Sequence, residues 1–265
     1  MADKRRTIKT RIEEDKPTPI QPIAGIESAY RRKLNALITS MQKSVLFWLQ
    51  GVYPKAEPTV AAVAKVEKAI AALKIRWFEK FDEAAPTLAA SFVAKASKNL
   101  DGNMERQLAA RKFGIHFELT PEMKAIVHAE IVQNVALIQS IPTQYFTEVE
   151  GLVMRSVAVG GDMKTLSLEL HKRYEITLDR ASLIAQDQNR KVNAVMTRVR
   201  QLEAGYTKAE WLHVACRYPR QSHVDFSGKE YEIAKGAYID GKYIWPGSEI
   251  GCGCISLPVT PDYLK

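Results

Sequence analysis

All three cysteines of this chain, Cys216, Cys252 and Cys254, fall within its last fifth, and His223 lies between them. Three thiolates and one imidazole are the ligand set of a closed structural zinc site, because zinc binds sulfur and nitrogen in a four-coordinate tetrahedron. His213 is a substitute ligand close by in sequence. The competing reading makes the cysteines compact apolar packing residues of a small module, and Cys-x-Cys is a less typical zinc spacing than Cys-x-x-Cys. An odd cysteine count in a reducing compartment argues against a disulfide framework. A cysteine nucleophile with His223 as its base is a third chemistry. The sequence offers it no phosphate-cradling glycine loop, dinucleotide fingerprint or His-Glu-x-x-His run, so an enzyme is not expected. Zinc held by Cys216, His223, Cys252 and Cys254 is the cofactor expectation.

Short strands must carry those ligands. Beyond Gly205 the chain shifts to the aromatic and β-branched runs AEWLHVA, KEYEIA, AYI and KYIWP. Asp240-Gly241 between two of them signals a type I′ hairpin over 237–244. Before this region a long helix is predicted from a Thr177 cap, with Gly205 as its left-handed end. Its inward stripe is Ala181, Ile184, Ala185, Gln188, Val192, Val195, Met196, Val199 and Leu202. Gln188 lies on that stripe and Asn193 flanks it. Buried amides need partners, which the terminal module's backbone could supply; a slightly rotated helix would leave both solvated.

The first half reads as helix almost throughout. Tyr30, Leu34, Leu37, Ile38, Met41, Val45 and Leu49 recur at helical spacing from Ile26 until Gly51 and Pro54. Val60, Val63, Val66, Ile70, Leu73, Trp77 and Phe81 mark a second helix over 59–84. Pro86 is predicted to interrupt it before another helical run over 87–112. Thr120-Pro121-Glu122 opens a helix to Ser140, Pro142 begins the next, Gly160-Gly161 ends that one, and Met163–Tyr174 form a short separate helix. Residues 1–25, charged and containing Pro17, Pro19 and Pro22, are expected to be a flexible arm. The domain reading is therefore this arm, a helical partner-docking region over 26–112, and a domain over 113–265 with a β-rich module at 206–258. The fold class is mainly α with a C-terminal α+β module, an extended helical region leading to a long helix packed on a small β-rich terminal domain.

The net charge of +8, from 38 Lys and Arg against 30 Asp and Glu, favours proximity to a polyanion. No apolar run approaches the roughly 18 residues that a membrane span needs. The charged opening MADKRRTIKTRIEEDK lacks the apolar core of a secretory leader, so the cytoplasm is the expected place of synthesis.

The stretch from Arg180 through Gln188 and Asn193 to Gly205, followed in order by Trp211, Arg220-Gln-Ser-His223, Gly228-Lys229, Pro246-Gly247, Cys252-Gly-Cys254 and Pro258, resembles the phage Mu F-like head morphogenesis proteins. The resemblance covers about residues 110–258. It implies a structural minor head protein of a tailed bacteriophage, associated with the portal protein and with other head or scaffold proteins. The expected location is the virion near the portal vertex, with host cytoplasm during assembly. Head assembly, DNA packaging or DNA ejection would be its work, and packaged double-stranded DNA a further partner. Arg180, Gln188, Asn193, Trp211, Arg220, Gly228, Pro246 and Pro258 are its structural motif residues, and Arg217 and Arg220 the candidates for nucleic-acid contact. The sequence departs from the family pattern at three places. Cys216 stands where an acidic residue is usual, Tyr218 where an arginine is, and Gly253 where an arginine separates the paired cysteines. The alternative is a zinc-stabilised nucleic-acid-binding enzyme or toxin-type module, which the lack of acidic metal ligands disfavours.

Overall fold

The computed structural model describes residues 18–54, 59–118, 120–216 and 218–260. Four long helices come first: α1 (Ala24–Val52), α2 (Val60–Ala110), α3 (Pro121–Ala158) and α4 (Met163–Glu203). They are followed by β1 (Lys208–Leu212), the one-turn helix α5 (Gln221–Asp225), β2 (Glu230–Glu232), β3 (Ala237–Ile239), β4 (Lys242–Ile244) and β5 (Ile255–Pro258). The predicted class, mainly helical with a small β-rich C-terminal region, is the observed one. No helix among the described residues is long and apolar enough to cross a membrane. The chain forms two compact units, one of residues 25–92 and 129–186, the other of the described residues up to Ala24 with 93–128 and 187–260.

In the first unit each helix contributes one apolar stripe at three- and four-residue steps, the pattern that buries a helix face. Leu34, Ile38, Met41 and Leu49 of α1, Phe81 and Trp77 of α2, and Ile138, Phe146 and Val149 of α3 are fully or nearly fully buried. Several buried polar groups are paired across the helices. Gln42 accepts a hydrogen bond from the Tyr145 hydroxyl and donates to the Leu170 carbonyl at 3.3 Å. Tyr53 reaches Ser156 Oγ at 2.6 Å and the Gly161 carbonyl at 3.0 Å. Tyr30 stacks on Phe92 with ring centres 4.3 Å apart.

Three predicted helix breaks are absent. Pro86 and Pro142 lie inside α2 and α3, and Thr177 lies within α4, where its hydroxyl donates to the Arg173 carbonyl at 2.9 Å and caps nothing. An interior proline costs about 3 kcal/mol through its missing amide. Around Pro86 the stripe Phe81, Ala85, Ala89, Phe92 keeps helical phase and stays buried, and this packing outweighs that cost. Real stops have caps. Thr120 Oγ1 accepts the Met123 amide at 3.2 Å, and Asp162 Oδ1 accepts the Thr165 amide at 2.9 Å. Gly160 and Gly205 take φ of 65° and 83° in the left-handed turns that end α3 and α4.

In the second unit β2, β1 and β5 form an antiparallel sheet in that order, with Ala209 opposite Tyr231 and Pro258, and Trp211 opposite Ser256. The predicted hairpin is β3–β4, with Asp240 and Gly241 both at positive φ as a type I′ turn requires. The second half of α4 packs on this module: Gln201 accepts from Ser256 Oγ at 2.9 Å, and a Cβ on Gly247 would sit 2.9 Å from the Ala194 Cβ. Gln188 is buried, the first of the two alternatives, but the inward face then rotates off the predicted stripe. Arg200 and Gln201 are each 1 % exposed whereas Leu202 is 38 % exposed. Polar partners cause the rotation. Asp101 grips Arg200 at 2.8 and 3.0 Å, Glu203 adds a contact at 2.6 Å, and Phe117 lies under the guanidinium. Asn193 and Asn189 bond the carbonyls of Ile20 and Ile23, at 3.0 and 3.2 Å, rather than the module. Ile20 is buried, so the end of the expected flexible arm is packed. Residues 1–17 lie outside the described residues.

Candidate metal centre

His223, Cys252 and Cys254 come together in the second unit, all buried, with their ligand atoms within 4.8 Å of one another. Three local features bring them there. Cys252 and Cys254 stand two residues apart in the segment that leads into β5, with only Gly253 between them. The one-turn helix α5 presents His223, whose ring meets Trp211 edge-to-face at 5.1 Å. Strand β1 ends one residue before His213, whose Nδ1 is 3.6 Å from Cys254 Sγ. His223 Nδ1 is 3.5 Å from Cys252 Sγ and 3.8 Å from Cys254 Sγ.

Electrostatics split the two thiols. A hydrogen bond from Cys254, aided by the backbone amides of Cys254 and Gly247, pulls the Cys252 thiol well below its ordinary value. That same contact together with burial pushes Cys254 up. Glu249 closes the other side, its Oε2 3.3 Å from His223 Nε2 though not in aligned hydrogen-bond geometry. Lys242 first, and Arg220 and His223 after it, hold the Glu249 carboxyl below the usual carboxylate range. Two soft sulfurs and one imidazole nitrogen, with a carboxylate behind that imidazole and a second imidazole against Cys254, are a donor set that could hold a metal ion.

Cys216 is not part of the cluster, which corrects the expected ligand set. Beyond His213 the chain turns outward, with Ala215, Tyr218 and Pro219 exposed and Cys216 half-buried and free. His213, the substitute ligand, lies against Cys254 at 3.6 Å but outside the group of three. Glu249 carried no signal in the sequence, since a lone glutamate in a loop looks like any solvated charge. The motif residues act structurally. Trp211 is fully buried, Pro246 and Pro258 are buried, and Gly228 turns at φ 82°. Arg220 donates to the Ile250 carbonyl at 2.9 Å and lies 3.6 Å from Glu249, so its guanidinium shapes the metal-site loop. Arg217, the other candidate for nucleic-acid contact, lies outside the described residues. Arg180 belongs to the helical unit, where it donates to Ser140 Oγ at 3.0 Å.

Fold and site together define a mainly helical protein with a metal-ready terminal module. No family model and no solved structure matches the chain. It is similar to a protein of Haemophilus influenzae called an uncharacterized protein, with 28 % identity over 252 residues, which cover 91 % of this chain and 55 % of that protein. The chain thus spans about half the length of the relative it matches.

Proposed function

We propose that the chain is a structural minor head protein of a tailed phage, working at the portal vertex in head assembly, packaging or ejection, with a terminal module stapled by zinc. The observation that carries this reading is that the motif residues Trp211, Arg220, Gly228, Pro246 and Pro258 lie in one small module around the buried His223, Cys252 and Cys254, with His213 against Cys254. Zinc bonded at roughly 2.3 Å to sulfur and 2.0–2.1 Å to nitrogen at the tetrahedral angle sets N···S separations of about 3.6 Å. The three observed separations are 3.5, 3.8 and 3.6 Å. His213, His223, Cys252 and Cys254 would hold the ion, and Glu249 would orient His223 from behind.

The unusual Gly253 supports the same reading. The guanidinium of Arg190 lies 3.6 Å from where a Gly253 Cβ would be, and it donates to the Gly251 carbonyl at 3.2 Å. An arginine from α4 thus occupies the region where the resembled family carries one between the cysteines. The test is mass spectrometry of purified, DNA-filled heads and of portal complexes from the producing phage. The expected result is the chain at low copy number in both. Its absence from both would overturn the reading, and a tight complex with the product of a neighbouring immunity-type gene would favour the toxin-type alternative.

A further inference from the structure

A cavity of about 350 Å³ opens on the helical unit between the end of α1 and the beginning of α2. Trp48 and Val52 line it from α1, and Ala69, Ala72 and Leu73 from α2. Small alanines on one helix facing a large indole on the other leave a recess that neither helix fills. Trp48 remains 48 % exposed, and Phe47, packed edge-to-face against it, is 70 % exposed. Exposed aromatic surface around a recess is uncommon on a surface that meets only water.

The rim is basic. Lys65, Lys68 and Arg76 also line the cavity, and among the described residues none of the three forms an ion pair. Their spacing along α2, with Ala69 and Ala72 between, keeps them on one face over three turns, a span of about 16 Å. Past Arg76 the same face carries Glu79 and Glu83, so the basic stretch has a defined end.

We propose that this recess docks an acidic amphipathic helix of a partner protein, one that seats an apolar side chain against Trp48 and sets carboxylates opposite Lys65, Lys68 and Arg76. The occupant follows from charge complementarity and shape. Three unpaired cations select an anionic partner, and their helical spacing matches carboxylates repeating every three or four residues on a facing helix. Concavity selects a knob. A bilayer is met by protruding aromatic and basic side chains, whereas a recess walled by alanines receives an inserted side chain. The proposal holds whether or not the chain works at a portal, because it rests only on the surface of α1 and α2.

The test uses the full chain and a labelled helical peptide of roughly five turns, with leucines on one face and glutamates flanking them. A twin peptide carries lysine for every glutamate, and phosphatidylglycerol vesicles are the third probe. The glutamate peptide should bind at least about tenfold more tightly than its lysine twin and weaken as salt rises. K65E/K68E/R76E, which changes only exposed side chains, should reverse that preference. Ala72→Trp should abolish binding by filling the recess. Equal binding of both peptides, indifference to either variant, or capture by vesicles with no binding of the glutamate peptide would overturn the proposal. Absence of the chain from purified heads and portal complexes would overturn the portal reading alone and leave this result standing.

Discussion

The helical unit and the terminal module bury their interiors by different means. In the first, long helices supply continuous apolar stripes, and its few buried polar groups, such as Gln42 and Tyr53, are ties between faces already held by Leu, Ile and Phe. In the second, strands of three to five residues bury a handful of side chains each. What gathers in it is two thiols and an imidazole, with a second imidazole against one thiol, and, elsewhere in the unit, a buried arginine held by two carboxylates. Apolar burial is distributed and tolerates single losses, whereas a ligand cluster concentrates stabilisation in four groups that act together or not at all.

Metal removal should therefore separate the two regions most sharply. Chelation, or Cys252→Ser, Cys254→Ser, His223→Ala or His213→Ala, is expected to eliminate about one zinc per chain and cost the module several kcal/mol. Hydrogen exchange would speed up across residues 208–258 while the amides of 30–49 and 66–92 keep their protection. Cys216→Ser should retain the metal. Metal-free protein with an unchanged exchange pattern would sink the site, and loss of zinc in Cys216→Ser would restore the ligand set first read from the sequence.

How far these features could be read from the sequence follows from the same contrast. Periodic stripes announce themselves, so Leu34–Ile38–Met41 and Val66–Ile70–Leu73 were legible, as was the Asp240–Gly241 turn, whose φ values only a few residues adopt easily. The breaks at Pro86 and Pro142 were misread because a local rule was applied where tertiary packing decides. The ligand types were legible from clustering, yet Cys216 was ranked above His213, and it is not in the group. That choice depends on where β1 stops and which way the following loop turns. Arg200 was invisible because an arginine near a helix end ordinarily suggests solvent and the helix dipole, and its Asp101 partner lies 99 residues earlier.

Arg200 gives the second way to probe the contrast. Arg200→Ala leaves Asp101 and Glu203 facing one another without their cation, and should cost about 3–5 kcal/mol. Phe81→Ala in the helical unit should cost a similar amount through a cavity. The two are distinguished by rescue. Adding Asp101→Leu to Arg200→Met should recover much of the loss, because an apolar pair of similar volume has no charge to strand. Chemical denaturation midpoints decide it: equal losses in Arg200→Ala and the double variant would mean that the charged contacts of Arg200 themselves, and not a stranded carboxylate, carry the stability.

The smallest effect concerns how helices end. α3 and α4 both stop at a glycine in the left-handed region, and α2 stops in the same way at Lys112, whose φ is 66°. The hydrogen bonds are equivalent: Phe113 N donates to the Leu108 carbonyl at 2.9 Å and Lys112 N to that of Ala109 at 2.9 Å, just as Tyr206 N and Gly205 N donate to Gln201 and Leu202. A side chain in this conformation costs about 1–2 kcal/mol from the crowding of Cβ against the carbonyl. The Lys112 side chain is exposed and forms no ion pair among the described residues, so nothing offsets that strain. Lys112→Gly relieves it but gains roughly 0.5–1 kcal/mol of unfolded-state entropy. The net is a stabilisation of about 0.5–1 kcal/mol, an upward Tm shift of roughly 1–4 °C for a chain of this size. Gly205→Ala should move Tm the other way by a comparable amount. If Lys112→Gly leaves Tm unchanged or lowers it while Gly205→Ala behaves as expected, the end of α2 is not strained at Lys112, and the three helix stops are alike only in hydrogen bonding.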